Sequence, residues 1–104
     1  MNTDSQYTQY MESSKHKNKN GLVVYRRRMG FSQKTVAQLL GHKDATLLCM
    51  YERGRILPPL AAALALGIIL RVPVEFLFPG LYDDLKSRIR QQEELRYPAR
   101  RTGA

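Results

Sequence analysis

Residues 25–58 read YRRRMGFSQKTVAQLLGHKDATLLCMYERGRILP, and the way this stretch divides decides the fold. Glycine stands at 30, 41 and 54, each time after a run of helix-forming residues. Without a Cβ, glycine readily takes the left-handed conformation that commonly closes a helix. Ser32 and Asp44 precede the second and third runs, where a side-chain oxygen can accept a backbone N–H. The spacing therefore predicts three short helices. The first runs from Leu22 to Met29 and is ended by Gly30; the second is capped by Ser32 and ended by Gly41. The third is capped by Asp44, runs to about Arg53 and is ended by Gly54. In the second, Val36, Leu39 and Leu40 recur at i, i+3 and i+4, which predicts an amphipathic helix with these side chains inward.

Further along, Pro58 and Pro59 predict the opening of a fourth helix, Leu60 to Leu70, which has no polar side chain. A helix apolar all round is expected to be buried on more than one side. Pro73 opens a short fifth helix, Val74 to Phe78, which Pro79-Gly80 is expected to break. A sixth follows, about Leu81 to Tyr97, with a narrow stripe of Leu81, Leu85 and Ile89. On it, Asp84–Arg88 and Arg90–Glu94 have the spacing of i,i+4 ion pairs. Residues 1–20 are polar and without periodicity and read as a flexible arm, with Lys15, Lys17 and Lys19 on it. Residues 98–104 read as a disordered tail. No strand pattern and no internal repeat is present. The fold class expected is all-α, with a domain over 21–79 and a further amphipathic helix over 80–97.

The chain is long enough, at 104 residues, for one domain with a modest core. Seventeen Lys and Arg against nine Asp and Glu give a net charge of +8, which favours a polyanionic partner. Residues 21–60 alone carry +5. A single cysteine, Cys49, excludes an internal disulfide and a multi-cysteine zinc site. The N-terminus lacks the apolar region of a secretory signal, and Leu60–Leu70 is far shorter than the ~20 residues of a membrane span. A cytoplasmic protein without a membrane segment is expected. Catalytic patterns are absent: there is no Gly-rich phosphate loop and no nucleophile elbow, and neither His16 nor His42 has ligands at metal spacing. No enzyme, cofactor or metal is expected.

Two short helices joined by a glycine-containing turn suggest a helix-turn-helix. The stretch resembles the Xre/Cro-like (lambda-repressor-like) helix-turn-helix family. The marks are Arg26, Gly30, Ser32-Gln33, Ala37, Gly41, the block Tyr51-Glu52-Arg53-Gly54 and Pro58, in family order and spacing. The later LALGIILRVPVEFLF is similar to the closing helices, so the likeness covers about residues 21–78. The resemblance implies a five-helix DNA-binding domain, here with an extra C-terminal helix. It implies a transcriptional regulator of repressor type that binds double-stranded DNA as a homodimer. Residue by residue, it implies an ion pair of Arg26 with Glu52, and phosphate contacts by Gln33 and Arg55. Lys43, Ala45, Thr46, Leu47 and Met50 are implied to face the groove.

The third helix departs from the family pattern. Each helical residue turns ~100°. If Leu48 and Tyr51 face the core and Glu52 faces Arg26, the outward side centres on Thr46 and Met50, flanked by Leu47 and Cys49. Reading a G or A edge calls for Arg, Lys, Asn or Gln, and only Thr46 is polar there. Three readings stay open. The helix reads thymine methyls and DNA shape; or it binds DNA weakly while a partner supplies specificity; or the domain is a protein-interaction module or antitoxin-like partner. Two smaller departures are the weakly basic loop Arg55-Ile56-Leu57, and Arg71 where a helix-ending glycine is usual.

Overall fold

Positive backbone φ marks the three expected turns: Gly30 at 76°, Gly41 at 83° and Gly54 at 72°. At Gly30 and Gly41 an added Cβ would meet nothing within 4 Å, so backbone conformation rather than space calls for glycine. In the computed structural model, which describes residues 19–98, these turns close α1 (Leu22–Arg28), α2 (Gln33–Leu39) and α3 (Thr46–Glu52). α4 (Leu60–Leu70), α5 (Val74–Leu77) and α6 (Pro79–Arg96) follow. The described residues are thus all-helical. None of their helices is long and apolar enough to cross a membrane. The arm before residue 19 and the tail after residue 98 lie outside the described residues.

Caps set the helix starts. The Thr35 N–H donates to Ser32 Oγ at 3.0 Å, as the sequence predicts. The Thr46 N–H donates to Asp44 Oδ1 at 2.9 Å, but Ala45 holds the N-cap position, so Asp44 acts from one residue further out. The Thr46 N–H, and then its hydroxyl, hold the Asp44 carboxyl below its ordinary range. The contact is therefore fully made above the ordinary carboxylate pKa and is lost as pH falls through the lowered one.

The core draws on every helix junction. Leu22 of α1, Val36 and Ala37 of α2, Leu48 and Tyr51 of α3, Leu66 and Leu70 of α4, Leu77 of α5 and Phe78 are buried. α3 packs on both α1 and α2, and α5 joins α4 to α6. Several expectations need correction. Leu39 is 57% exposed, and Ala37, next to Val36, takes the inward place. A small side chain there lets α2 approach the core. α5 ends before Pro79 as expected, at Leu77, but the last helix starts at Pro79 rather than at Leu81: Pro79 stands in the first turn of α6, where its missing N–H is no loss. α6 buries no residue fully: Leu81 packs partly on the core, while Ile89 is exposed. Arg90 Nη1 bonds Glu93 Oε2 at 3.1 Å, an exposed i,i+3 pair that adds little stability. The largest correction is α4. It is buried on one side only, through Leu66 and Leu70, while Leu60, Leu64 and Ile68 are exposed.

Asn20 belongs to the fold rather than to the arm. Its Oδ1 accepts the Leu22 N–H at 3.0 Å, and its Nδ2 donates to the Tyr51 carbonyl at 2.9 Å. The start of α1 is thereby tied to the end of α3.

α4 ends on Arg71, with φ 60° and ψ 44°, the one non-glycine residue of positive φ among the described residues. The next N–H, of Val72, returns to the Gly67 carbonyl at 3.1 Å. A left-handed conformation is strained for a residue with a Cβ. Arg71→Gly relieves the strain but loosens the unfolded chain. The net expected gain is about 0.5 kcal/mol, measured as a higher urea midpoint at unchanged slope.

Candidate functional site

α3 is held by one carboxylate. Glu52 Oε2 accepts Arg26 Nε at 2.6 Å, and Oε1 accepts Arg26 Nη2 at 3.2 Å. Oε1 also accepts Gln33 Nε2 at 2.8 Å. Arg26 Nη1 donates to the Phe31 carbonyl at 3.1 Å, in the turn between α1 and α2. One acidic side chain therefore joins α1, α2 and α3. It is well shielded: the Glu52 side chain is 4% exposed and that of Arg26 12%. The ion pair stands as the resemblance implies. Gln33 is drawn into it, an engagement that the sequence reading did not foresee.

With Glu52 turned to Arg26 and with Leu48 and Tyr51 buried, the orientation of α3 is fixed. His42 adds an edge-on ring contact with Tyr51, centroids 6.5 Å apart. Its Nδ1 is buried without a hydrogen-bond partner. The opposite face of α3 presents Thr46 and Leu47, both exposed, and half-buried Cys49 and Met50. Exposed cations stand at both ends: Lys43 before the helix, Arg53 and Arg55 after it.

A concavity of about 270 Å³ opens where α2 meets the turn into α3. Lys34, Ala37, Gln38, His42, Lys43, Asp44 and Ala45 line it. The expected groove-facing residues thus divide into neighbouring sets. Lys43 and Ala45 share this concavity with Lys34, while Thr46, Leu47 and Met50 lie along α3. Gln33 lies with Glu52, and exposed Arg55 follows Gly54 after the helix.

Gln38 was not singled out from the sequence, although it follows Lys34 at i+4, the spacing of side chains on one helix face. Asn20 was likewise missed. Its signal was an asparagine two residues ahead of the first helical residue, the local bond Asn makes to a nearby backbone N–H.

Chemically, the site offers exposed ammonium and guanidinium groups around a short helix whose outer face is mostly apolar. Such cations neutralise phosphates and fix register. The helix face supplies methyl and methylene contacts and one hydroxyl. Comparison with protein-family models, with curated proteins and with solved structures gives no match for this chain.

The shielded carboxylate makes a stability prediction. Glu52→Ala strands the Arg26 charge and the Gln33 amide, and is expected to cost about 3–5 kcal/mol in urea unfolding. Replacing the pair together, Arg26→Met with Glu52→Leu, is expected to lose clearly less than Glu52→Ala alone. A loss below about 1 kcal/mol for Glu52→Ala would show a solvated pair instead.

Proposed function

We propose that the chain is a lambda-repressor-like helix-turn-helix domain that lays α3 in the major groove of double-stranded DNA and regulates transcription as a repressor-type homodimer. One observation carries the reading: the core and Glu52 fix α3 while its opposite face stays open between exposed cations. The order of Arg26, Gly30, Ser32-Gln33, Ala37, Gly41 and Tyr51–Gly54, in the pattern of that family, supports it.

In this reading Lys34, Lys43 and Arg55 contact phosphates, a sequence-independent and salt-sensitive contribution. Gln33 gives one amide N–H to Glu52, and its second N–H is available to a phosphate oxygen. Glu52 then serves twice, orienting α3 and pre-setting the Gln33 amide. Ala45, Thr46, Leu47 and Met50 face the bases. With no bidentate donor among them, sequence preference comes from thymine methyls, the Thr46 hydroxyl and DNA shape.

The apolar character of that same face supports a second reading, a protein-interaction module or antitoxin-like partner on this fold. Exposed Leu47 is the side chain that favours it. Selection of bound duplexes from a random pool separates the two. An enriched motif at near-physiological salt, bound ~10³-fold or more above bulk DNA, is the expected result. No enrichment would move α3 to protein docking. Arg55→Ala is expected to weaken binding to every duplex alike and to lower the salt slope by about 1. Unchanged affinity would take Arg55 out of the interface.

A further inference from the structure

The concavity between α2 and the turn into α3 brings together more hydrogen-bonding groups than its two lysines. Its volume of about 270 Å³ is several times the ~30 Å³ that a water molecule occupies in the liquid. Two of its lining residues, Ala37 and Ala45, carry only a methyl group, which leaves the space open. Lys34 and Gln38 come from α2, one turn apart on one face, and His42 and Lys43 come from the turn. The turn itself is held in place. The His42 N–H donates to the Ala37 carbonyl at 2.9 Å, and the His42 ring lies edge-on to buried Tyr51. The side chains of Lys34, Gln38 and Lys43 are exposed and make no hydrogen bond or ion pair with the described residues.

We propose that this concavity holds a single phosphate group, bound by Lys34 and Gln38 from α2 and by His42 and Lys43 from the turn. The donors suit an oxyanion. Both lysines give ammonium N–H groups, Gln38 an amide N–H and His42 a ring N–H. Burial of His42 Nδ1, which has no hydrogen-bond partner, decides its tautomer. An N–H enclosed without an acceptor is the costlier arrangement, so the proton sits on Nε2. A carboxylate has two oxygens to share among four donors, whereas a phosphate group has at least three. Asp44 is the one carboxylate among the lining residues, and its Oδ1 already accepts the Thr46 N–H at 2.9 Å. Two ammonium groups against that one carboxylate leave the concavity positive.

Gln38 and His42 deepen the DNA reading above, in which Lys34 and Lys43 already meet phosphates. The same chemistry is offered by the backbone phosphate of DNA and by a free phosphorylated molecule. Exposed lysines are screened by water and salt, so a lone phosphate binds weakly, with a Kd on the order of 1 mM. A phosphate in this hollow does not require DNA binding, so the two readings fail separately.

Amide NMR spectra of the isotope-labelled full chain read the site directly. Inorganic phosphate is added from about 0.1 to about 30 mM, which spans that Kd, with sodium chloride at equal ionic strength as the control. Saturable shifts are expected at the Gln38 side-chain amide, the His42 ring and the backbone of residues 42–45, and chloride is not expected to reproduce them. Gln38→Ala and Lys43→Gln, each checked for unchanged helical circular dichroism, are each expected to weaken phosphate about threefold. Lys86→Gln, on exposed α6, is expected to leave the titration unchanged. Shifts that chloride reproduces, or that spread without saturation over lysines along the whole chain, overturn the proposal and leave charge screening only. An unchanged Kd in both Gln38→Ala and Lys43→Gln overturns it as well. A duplex-binding assay then separates the sources. If phosphate lowers DNA affinity more than chloride does, the hollow holds a DNA backbone phosphate. If phosphate saturates the site and DNA affinity is unmoved, the hollow serves a free phosphorylated molecule. Saturable phosphate binding in a chain that binds no duplex keeps the site and removes the DNA reading.

Discussion

A single carboxylate, that of Glu52, governs the relation of the first three helices. Both its oxygens are occupied, by Arg26 from α1 and by Gln33 from α2, while it stands at the last residue of α3. An apolar core alone packs helices of seven residues loosely in azimuth, because Leu and Val contacts tolerate rotation. Charged hydrogen bonds of defined geometry do not. The pair therefore does for orientation what Leu48 and Tyr51 do for burial. Asn20 adds a third constraint by holding the Tyr51 carbonyl at the same end of α3.

Much of this was legible in the sequence. Three glycines and two capping residues placed α1 to α3, because a left-handed turn and an N-cap are local events with strong residue preferences. The partners Arg26 and Glu52 were legible only through resemblance to a family, since 26 residues separate them and no local rule joins them. The engagement of Gln33 was missed for the same reason. Amphipathic periodicity misplaced Leu39, because a small residue such as Ala37 weighs little in a hydrophobic pattern and yet packs closely in a core. Pro79 does bound α5, which ends at Leu77, but it also opens α6, because proline in a first turn suits the start of a helix.

α4 shows where periodicity carries no information. All its side chains are apolar, so no arrangement of them tells inside from outside. Which face is covered depends on what the rest of the chain has available, and here the neighbouring elements reach only the side of Leu66 and Leu70. The site has the same limit. The cations around α3 could be counted from the sequence, but their grouping depends on the turn at Gly41, which brings Lys34 and Lys43 to one concavity.

The fixed inner side of α3 and its open outer side are, in effect, decoupled. Leu47 has no role in the core and no share in the Glu52 cluster, whereas the neighbouring Thr46 also bonds Asp44 at the start of the helix. Exchanging exposed residues of this kind changes stability by only about 0.5 kcal/mol in either direction. The scaffold is therefore modular at this position. What α3 presents on its outer side can be changed at Leu47 while the helix keeps its place, so the chemistry of that face varies independently of the fold.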